Sequence, residues 1–206
     1  MKCHRYWESG DYGPLRVRNL AQKSIHLESQ PSTEEDPCII VRHMSLSHSA
    51  FPFQPLREIT QLQYPYWPDF GTTSQPSHLL KLIEQCDEVV KATSDAAATT
   101  LEAGFEEQRP VLVHCSAGCG RTGTFCTVDS VLGMLKRRIQ GQISEGWVHD
   151  EKLDLIAKTV EDFRTQRPSM IQNLSQFVLC YESVLEWLMW QMTGESDSET
   201  MHDQAI

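Results

Sequence analysis

Apolar positions change their spacing partway along the chain. Over residues 1–66 they come in short runs. Ser24-Ile25-His26-Leu27-Glu28 alternates weakly and Cys38-Ile39-Ile40-Val41 is a compact, β-rich run, both strand signals. Between them, Gln30 to Pro37 holds two prolines and three acids and predicts a surface loop. Arg57 to Tyr64 predicts a further strand, with Ile59, Leu62 and Tyr64 as its buried set.

From Ser77 the period becomes helical. Leu79, Ile83, Cys86 and Val90 share one face, after the start signal Gln75-Pro76-Ser77, which predicts a helix to about Thr93. Ser94 to Gln108 is predicted to be a surface connection. Val111-Leu112-Val113 is a short apolar run typical of a buried strand. It leads into a glycine-rich decapeptide, His114 to Gly123, and then into a helix with Phe125, Val128, Leu132 and Leu135 inward, ending near Arg137-Arg138. Asp150 is predicted to cap another helix, with Leu153, Ile156, Val160 and Phe163 inward and Pro168 beyond its end. A last helix is predicted over Leu174 to Met192, with Phe177, Tyr181, Val184 and Leu188 buried. Residues 193–206 hold four acids and no lysine or arginine, a composition that predicts a disordered tail. Without an internal repeat or an obvious linker, one α/β domain is the economical architecture.

Composition narrows the function. The formal charge of −10 comes with no basic patch, which argues against nucleic-acid binding. No apolar stretch is long enough to span a bilayer and no signal peptide opens the chain, so a cytoplasmic protein is expected. Seven cysteines, an odd number without CxxC pairs, argue against both a disulfide framework and a zinc site.

The decapeptide HCSAGCGRTG carries the chemistry. A glycine-rich turn feeding a helix start collects backbone N–H groups around one concavity, and the helix N-terminus adds roughly half a positive charge. Arg121 follows Cys115 by six positions, so its planar fork can fold over bound oxygens and grip two of them. Cys115 then lies where negative charge is favoured, a setting that makes a thiol a nucleophile. Thr122 is placed to donate to the thiolate, and His114 to order the loop rather than act as a base. GxxxxGK[ST] is absent, which excludes a nucleotide P-loop.

The decapeptide strongly resembles the signature loop of the protein tyrosine phosphatase family. Tyr66-Trp67-Pro68-Asp69-Phe70-Gly71 resembles that family's mobile acid loop, and Met170 to Gln176 its glutamine loop. The resemblance implies a mixed central sheet flanked by helices. It also implies hydrolysis of phosphotyrosine in proteins through a phosphocysteine intermediate, in signal transduction, with no cofactor or metal. Cys115 is then nucleophile, Asp69 general acid, Trp67 the acid loop's anchor, and Gln172 and Gln176 the positioners of water and substrate. Ser116, Ala117, Gly118, Cys119, Gly120 and Arg121 hold the phosphate. Asn173 departs from the family's usual threonine. Cys119 is a space-filling residue, or a resolving thiol if Cys115 is oxidised.

Lys2 to Trp7 resembles the end of the family's E-loop, with Lys2 as the lysine that reaches toward the acid loop. The chain is therefore expected to begin partway through the family's domain, as a partial catalytic domain over residues 1–192, without the upstream phosphotyrosine-recognition loop. Phosphotyrosine-containing proteins are the expected partners of a monomer with no nucleic-acid or membrane partner. Two alternatives stay open: a non-catalytic phosphotyrosine-binding module, and a truncated product with intact chemistry residues but poor folding. Dual specificity is disfavoured by the WPDFG context and the glutamine loop.

Overall fold

A computed structural model describes residues 4–28, 36–99, 110–142, 150 and 152–193, with backbone alone for 95–99. Lys2, the predicted tail beyond Thr193, and most of the predicted loop at Gln30–Pro37 lie outside the described residues. The chain forms two compact units, one of residues 1–68 and 81–112, the other of 69–80 and 113–206.

The first unit is built on four antiparallel strands in sequential order, β1 (Gly10–Tyr12), β2 (Leu15–His26), β3 (Cys38–His48) and β4 (Arg57–Gln63). Ile25 pairs with Ile39 and Val41 with Leu62 across the ladders. Ile39, Val41 and Leu27 form the buried cluster, against which Ile25, Leu62, Tyr64 and Leu82 pack. Ile59, predicted inside, is 37% exposed. A register shift between Asn19 and Ala21 leaves Leu20 as the extra residue of a bulge. Arg42 on the central strand is buried and donates to the side-chain oxygens of Gln22, Gln61 and Gln63 at 2.7–2.8 Å. Its guanidinium also lies over the Trp7 ring, 5.0 Å from the centroid.

Helix α1 (Pro76–Thr99) starts in the second unit and continues in the first, running past its predicted end at Thr93. The alanine-rich segment after Ser94 favours continuation, because alanine is the best helix former. Val111-Leu112-Val113 is not the predicted buried strand. It joins no ladder, and Val111 and Leu112 are 53% and 89% exposed. A strand is made by its neighbours, and the pairing among the described residues is antiparallel throughout. The α/β class holds, while the parallel pairing of the expected mixed sheet is not formed there.

The second unit is helical: α2 (Gly120–Ile139), α3 (Leu155–Gln166) and α4 (Leu174–Thr193). Phe125, Val128 and Leu132 are buried on α2 as predicted, joined by Val131. Helix α3 is capped by Asp154, whose side chain accepts from the Ala157 N–H, and not by Asp150. Asp150 instead accepts from the Lys152 N–H at 2.9 Å, a local turn that precedes the helix. The buried face of α4 is Gln176, Leu179, Cys180, Ser183, Val184 and Trp187. Val184 is buried as predicted, while Phe177, Tyr181 and Leu188 are half-buried, because the polar Gln176 and Ser183 share the inner face.

Candidate functional site

The decapeptide, Asp69 and both glutamines belong to the second unit. Helix α2 begins at Gly120 inside the decapeptide, with Cys119 at its cap and the Gly123 N–H returning to the Cys119 carbonyl at 2.8 Å. The loop therefore wraps the positive end of a twenty-residue helix, where the orphan N–H groups favour an anion.

Cys115 sits in this field. Burial pushes its thiol up, but the Thr122 hydroxyl and the backbone N–H groups of Thr122, Ala117 and Cys119 outweigh it. Together they bring the pKa down from 9.0 to about 6. The Thr122 hydroxyl is buried and otherwise unpartnered, so a thiolate at Cys115 gives it its acceptor. Elsewhere burial wins: Cys126 is pushed up to about 11, with Asp129 adding to it, and Cys180 to about 12. The six described cysteines are free thiols.

Asp69, Ser116 and Arg121 form a triangle. The Arg121 guanidinium donates to the Asp69 carboxylate, and to the Ser116 hydroxyl at 2.7 Å. Ser116 in turn donates to the same Asp69 oxygen at 2.9 Å. The two charged groups are 22% and 48% exposed, so the triangle is open to a solute. His114 is exposed, with Nδ1 3.2 Å from the Cys115 carbonyl oxygen. The Cys119 thiol points to the Ala117 carbonyl, at 3.4 Å.

Both glutamines lie against the loop, and glycine is what admits them. A Cβ on Gly120 would stand 2.6 Å from Gln172 Oε1 and 2.9 Å from the Gln176 amide. A Cβ on Gly123 would stand 2.5 Å from the Ile171 nitrogen, whose N–H donates to the Cys119 carbonyl at 3.3 Å. Gln176 is fully buried and accepts from the Gln172 N–H at 3.0 Å. Trp67 belongs to the first unit and is buried, 5% exposed.

Sequence reasoning passed over two arginines. Arg167 donates to the Gly118 carbonyl at 3.0 Å, and Arg164 donates to the carbonyls of Met170 and Ile171, both at 2.9 Å. They brace the decapeptide and the segment carrying Gln172. Their only signal was position, two cations at the end of a helix and before Pro168, which the helix dipole explains equally well.

What these contacts define is a class: a thiol lowered to the thiolate range inside a cradle of backbone donors, with a guanidinium bonded to the next residue, Ser116. The chain belongs to the protein-tyrosine phosphatase family, whose sequence profile, described as "Protein-tyrosine phosphatase", matches residues 1–186. Tyrosine phosphatase H3 of Microplitis demolitor bracovirus is 34% identical over 182 residues, covering 88% of this chain and 48% of that protein. Protein-tyrosine-phosphatase PTP1 of Arabidopsis thaliana is 28% identical over 188 residues, covering 91% of this chain and 46% of that protein. The crystal structure of the catalytic domain of human protein tyrosine phosphatase non-receptor type 18 superposes with a TM-score of 0.60 at 28% identity. It covers 90% of this chain and 55% of that one. The chain thus spans about half the length, or less, of these relatives.

Proposed function

We propose that the chain hydrolyses phosphotyrosine in proteins through a phosphocysteine intermediate, with residues 1–192 as its catalytic region. The observation that carries this reading is the Cys115 thiol held at about 6 by Thr122 and three backbone N–H groups, in the loop whose Ser116 is bonded by Arg121. At neutral pH such a thiol is ionised and needs no base.

In the first step the Cys115 sulfur attacks phosphorus and a P–S bond forms as the P–O bond to the aryl group breaks. Asp69 gives its proton to the departing phenolate oxygen. Arg121 and the N–H groups of residues 116–121 stabilise charge on the equatorial oxygens. In the second step Asp69 takes a proton from a water aligned by Gln172. The water oxygen bonds to phosphorus, the P–S bond breaks, and phosphate leaves with the thiolate restored. Gln176 supports this step by fixing the Gln172 backbone.

The substrate is then a phosphotyrosine-bearing protein, and the chain acts as a monomer in the cytoplasm. Among the described residues no helix is long and apolar enough to cross a membrane.

Hydrolysis of a phosphotyrosine peptide by the purified chain, beside Cys115→Ser and Asp69→Ala, tests the reading. Phosphate trapped on Cys115 in acid-quenched enzyme supports it. Turnover untouched by Cys115→Ser would sink it, and a well-folded inert chain that still holds the peptide would favour a binding module.

A further inference from the structure

One amide at the foot of α4 makes three bonds in two directions. Asn173 Oδ1 accepts from the Gln176 N–H at 2.9 Å and from the Ser175 hydroxyl at 2.8 Å, the arrangement of a helix N-cap. Its Nδ2 donates to the Phe70 carbonyl at 2.8 Å. Turning the amide over would lose the bonds to the Gln176 N–H and the Phe70 carbonyl, so the network fixes its orientation.

Phe70 directly follows Asp69 and has φ of +59°. An aromatic residue is disfavoured in that left-handed region and persists only when its surroundings hold it there. Gln176 Nε2 reaches the next carbonyl, Gly71, at 3.4 Å. The shorter and better bond to this turn is the one from Asn173.

We propose that Asn173 is a positioning residue for Asp69, capping α4 with its oxygen while its nitrogen ties the acid turn to that helix. The family's usual threonine has a single short hydroxyl for both tasks. Asparagine separates them, with an acceptor on one branch and a donor on the other. The tether holds the carbonyl adjacent to Asp69, so losing it misplaces the acid without removing it. The inference rests on Asp69 being the proton donor in the proposed cycle.

Asn173→Asp separates the two tasks, since a carboxylate still caps the helix but cannot donate to a carbonyl. Two phosphate esters read the consequence: a phosphotyrosine peptide, whose leaving group needs a proton, and dinitrophenyl phosphate, whose leaving group does not. The expected result is a kcat/KM, which reads only the steps through phosphocysteine formation, lowered roughly tenfold or more on the peptide and nearly unchanged on the dinitrophenyl ester. On an Asp69→Ala background the substitution should have no further effect, and the melting temperature should stay near wild type, unlike that of Asn173→Ala. Hydrogen exchange at Gly71 and Thr72 should quicken in Asn173→Asp whether or not the protein turns over. Equal losses on both esters, or losses that persist without Asp69, would overturn the proposal, as would unchanged exchange. A wild type inert toward both esters would instead defeat the proposed function, leaving exchange to decide the tether alone.

Discussion

Asp69 and Arg121 are bonded to each other, although the proposed cycle gives each a different part of the substrate. In that cycle an arriving phosphate would take over the guanidinium and release the carboxylate toward the leaving oxygen. Asp69→Asn therefore has two opposite effects. Turnover of phosphotyrosine falls about 10²- to 10⁴-fold with loss of the acid. Inorganic phosphate binds more tightly, by up to about fivefold, because a half-exposed carboxylate competitor contributes at most about 1 kcal/mol. Calorimetric titration with phosphate, beside steady-state kinetics, checks both; weaker phosphate binding would refute the competition.

Thr122→Val removes the hydroxyl that heads the forces lowering the Cys115 pKa. Burial, which opposes the thiolate, stays in place. The midpoint of Cys115 alkylation by iodoacetamide should sit near pH 6 in the wild type and rise toward 9.0 in the variant. Because the folded value is the lower one, the thiolate's contribution to stability is complete above the unfolded value. It is lost as pH falls through about 6. At pH 7 Cys126 and Cys180 should remain unmodified while Cys115 reacts, read by peptide mass spectrometry.

Glycine-to-alanine changes in helices ordinarily stabilise, and Gly123 should reverse that sign. Its new Cβ would meet backbone atoms of Ile171 and Met170 at 2.5–3.2 Å, and backbone yields less readily than a side chain. A loss of about 1–3 kcal/mol is expected in urea unfolding. The displaced segment carries Gln172, so hydrolysis of the phosphocysteine should slow more than its formation, seen as a burst in stopped-flow assays.

Asp154 caps α3 and accepts from the Tyr181 hydroxyl at 2.6 Å. Burial pushes its carboxyl up, but bonds from Tyr181 and from the N–H groups of Ala157 and Ile156 outweigh it and hold it below its ordinary 3.8. Its stabilisation is present above the unfolded pKa and fades as pH falls through the lower folded value. Asp154→Ala should cost about 1 kcal/mol at pH 7, measured by thermal melts, and the gap to wild type should close in acid.

The shape of the loop was legible because its parts are contiguous. Cys115, Thr122 and Arg121 share one turn whose spacing is written in ten letters, and their clustering needs no distant information. The roles of Arg164, Arg167 and Asn173 were not legible, since each acts on a carbonyl and any carbonyl looks alike in sequence. Helix existence followed from periodicity, but the α4 face did not. Gln176 and Ser183 point inward, and a hydrophobic stripe cannot register polar residues buried for packing or for function. Val111 to Val113 failed for a related reason: apolar character marks a strand only where a neighbour supplies the ladder.

Arg42 has a consequence of another kind. Among the described residues its hydrogen-bond acceptors are three glutamine amides, with the Trp7 ring beneath. Amides do not titrate and do not recruit counter-ions, so the hydrogen bonds that hold this interior cation are to neutral dipoles. The Arg42 contacts in the sheet of the first unit should then be indifferent to ionic strength, neither screened by salt nor dissolved by acid, unlike the exposed Arg16–Asp11 and Arg18–Asp11 pairs on β1 and β2. The second unit, with its Asp69–Arg121 pair open to solvent, should respond to both. A salt titration followed residue by residue would separate the Arg42 cluster from the exposed pairs, Arg16–Asp11 in the first unit and Asp69–Arg121 in the second.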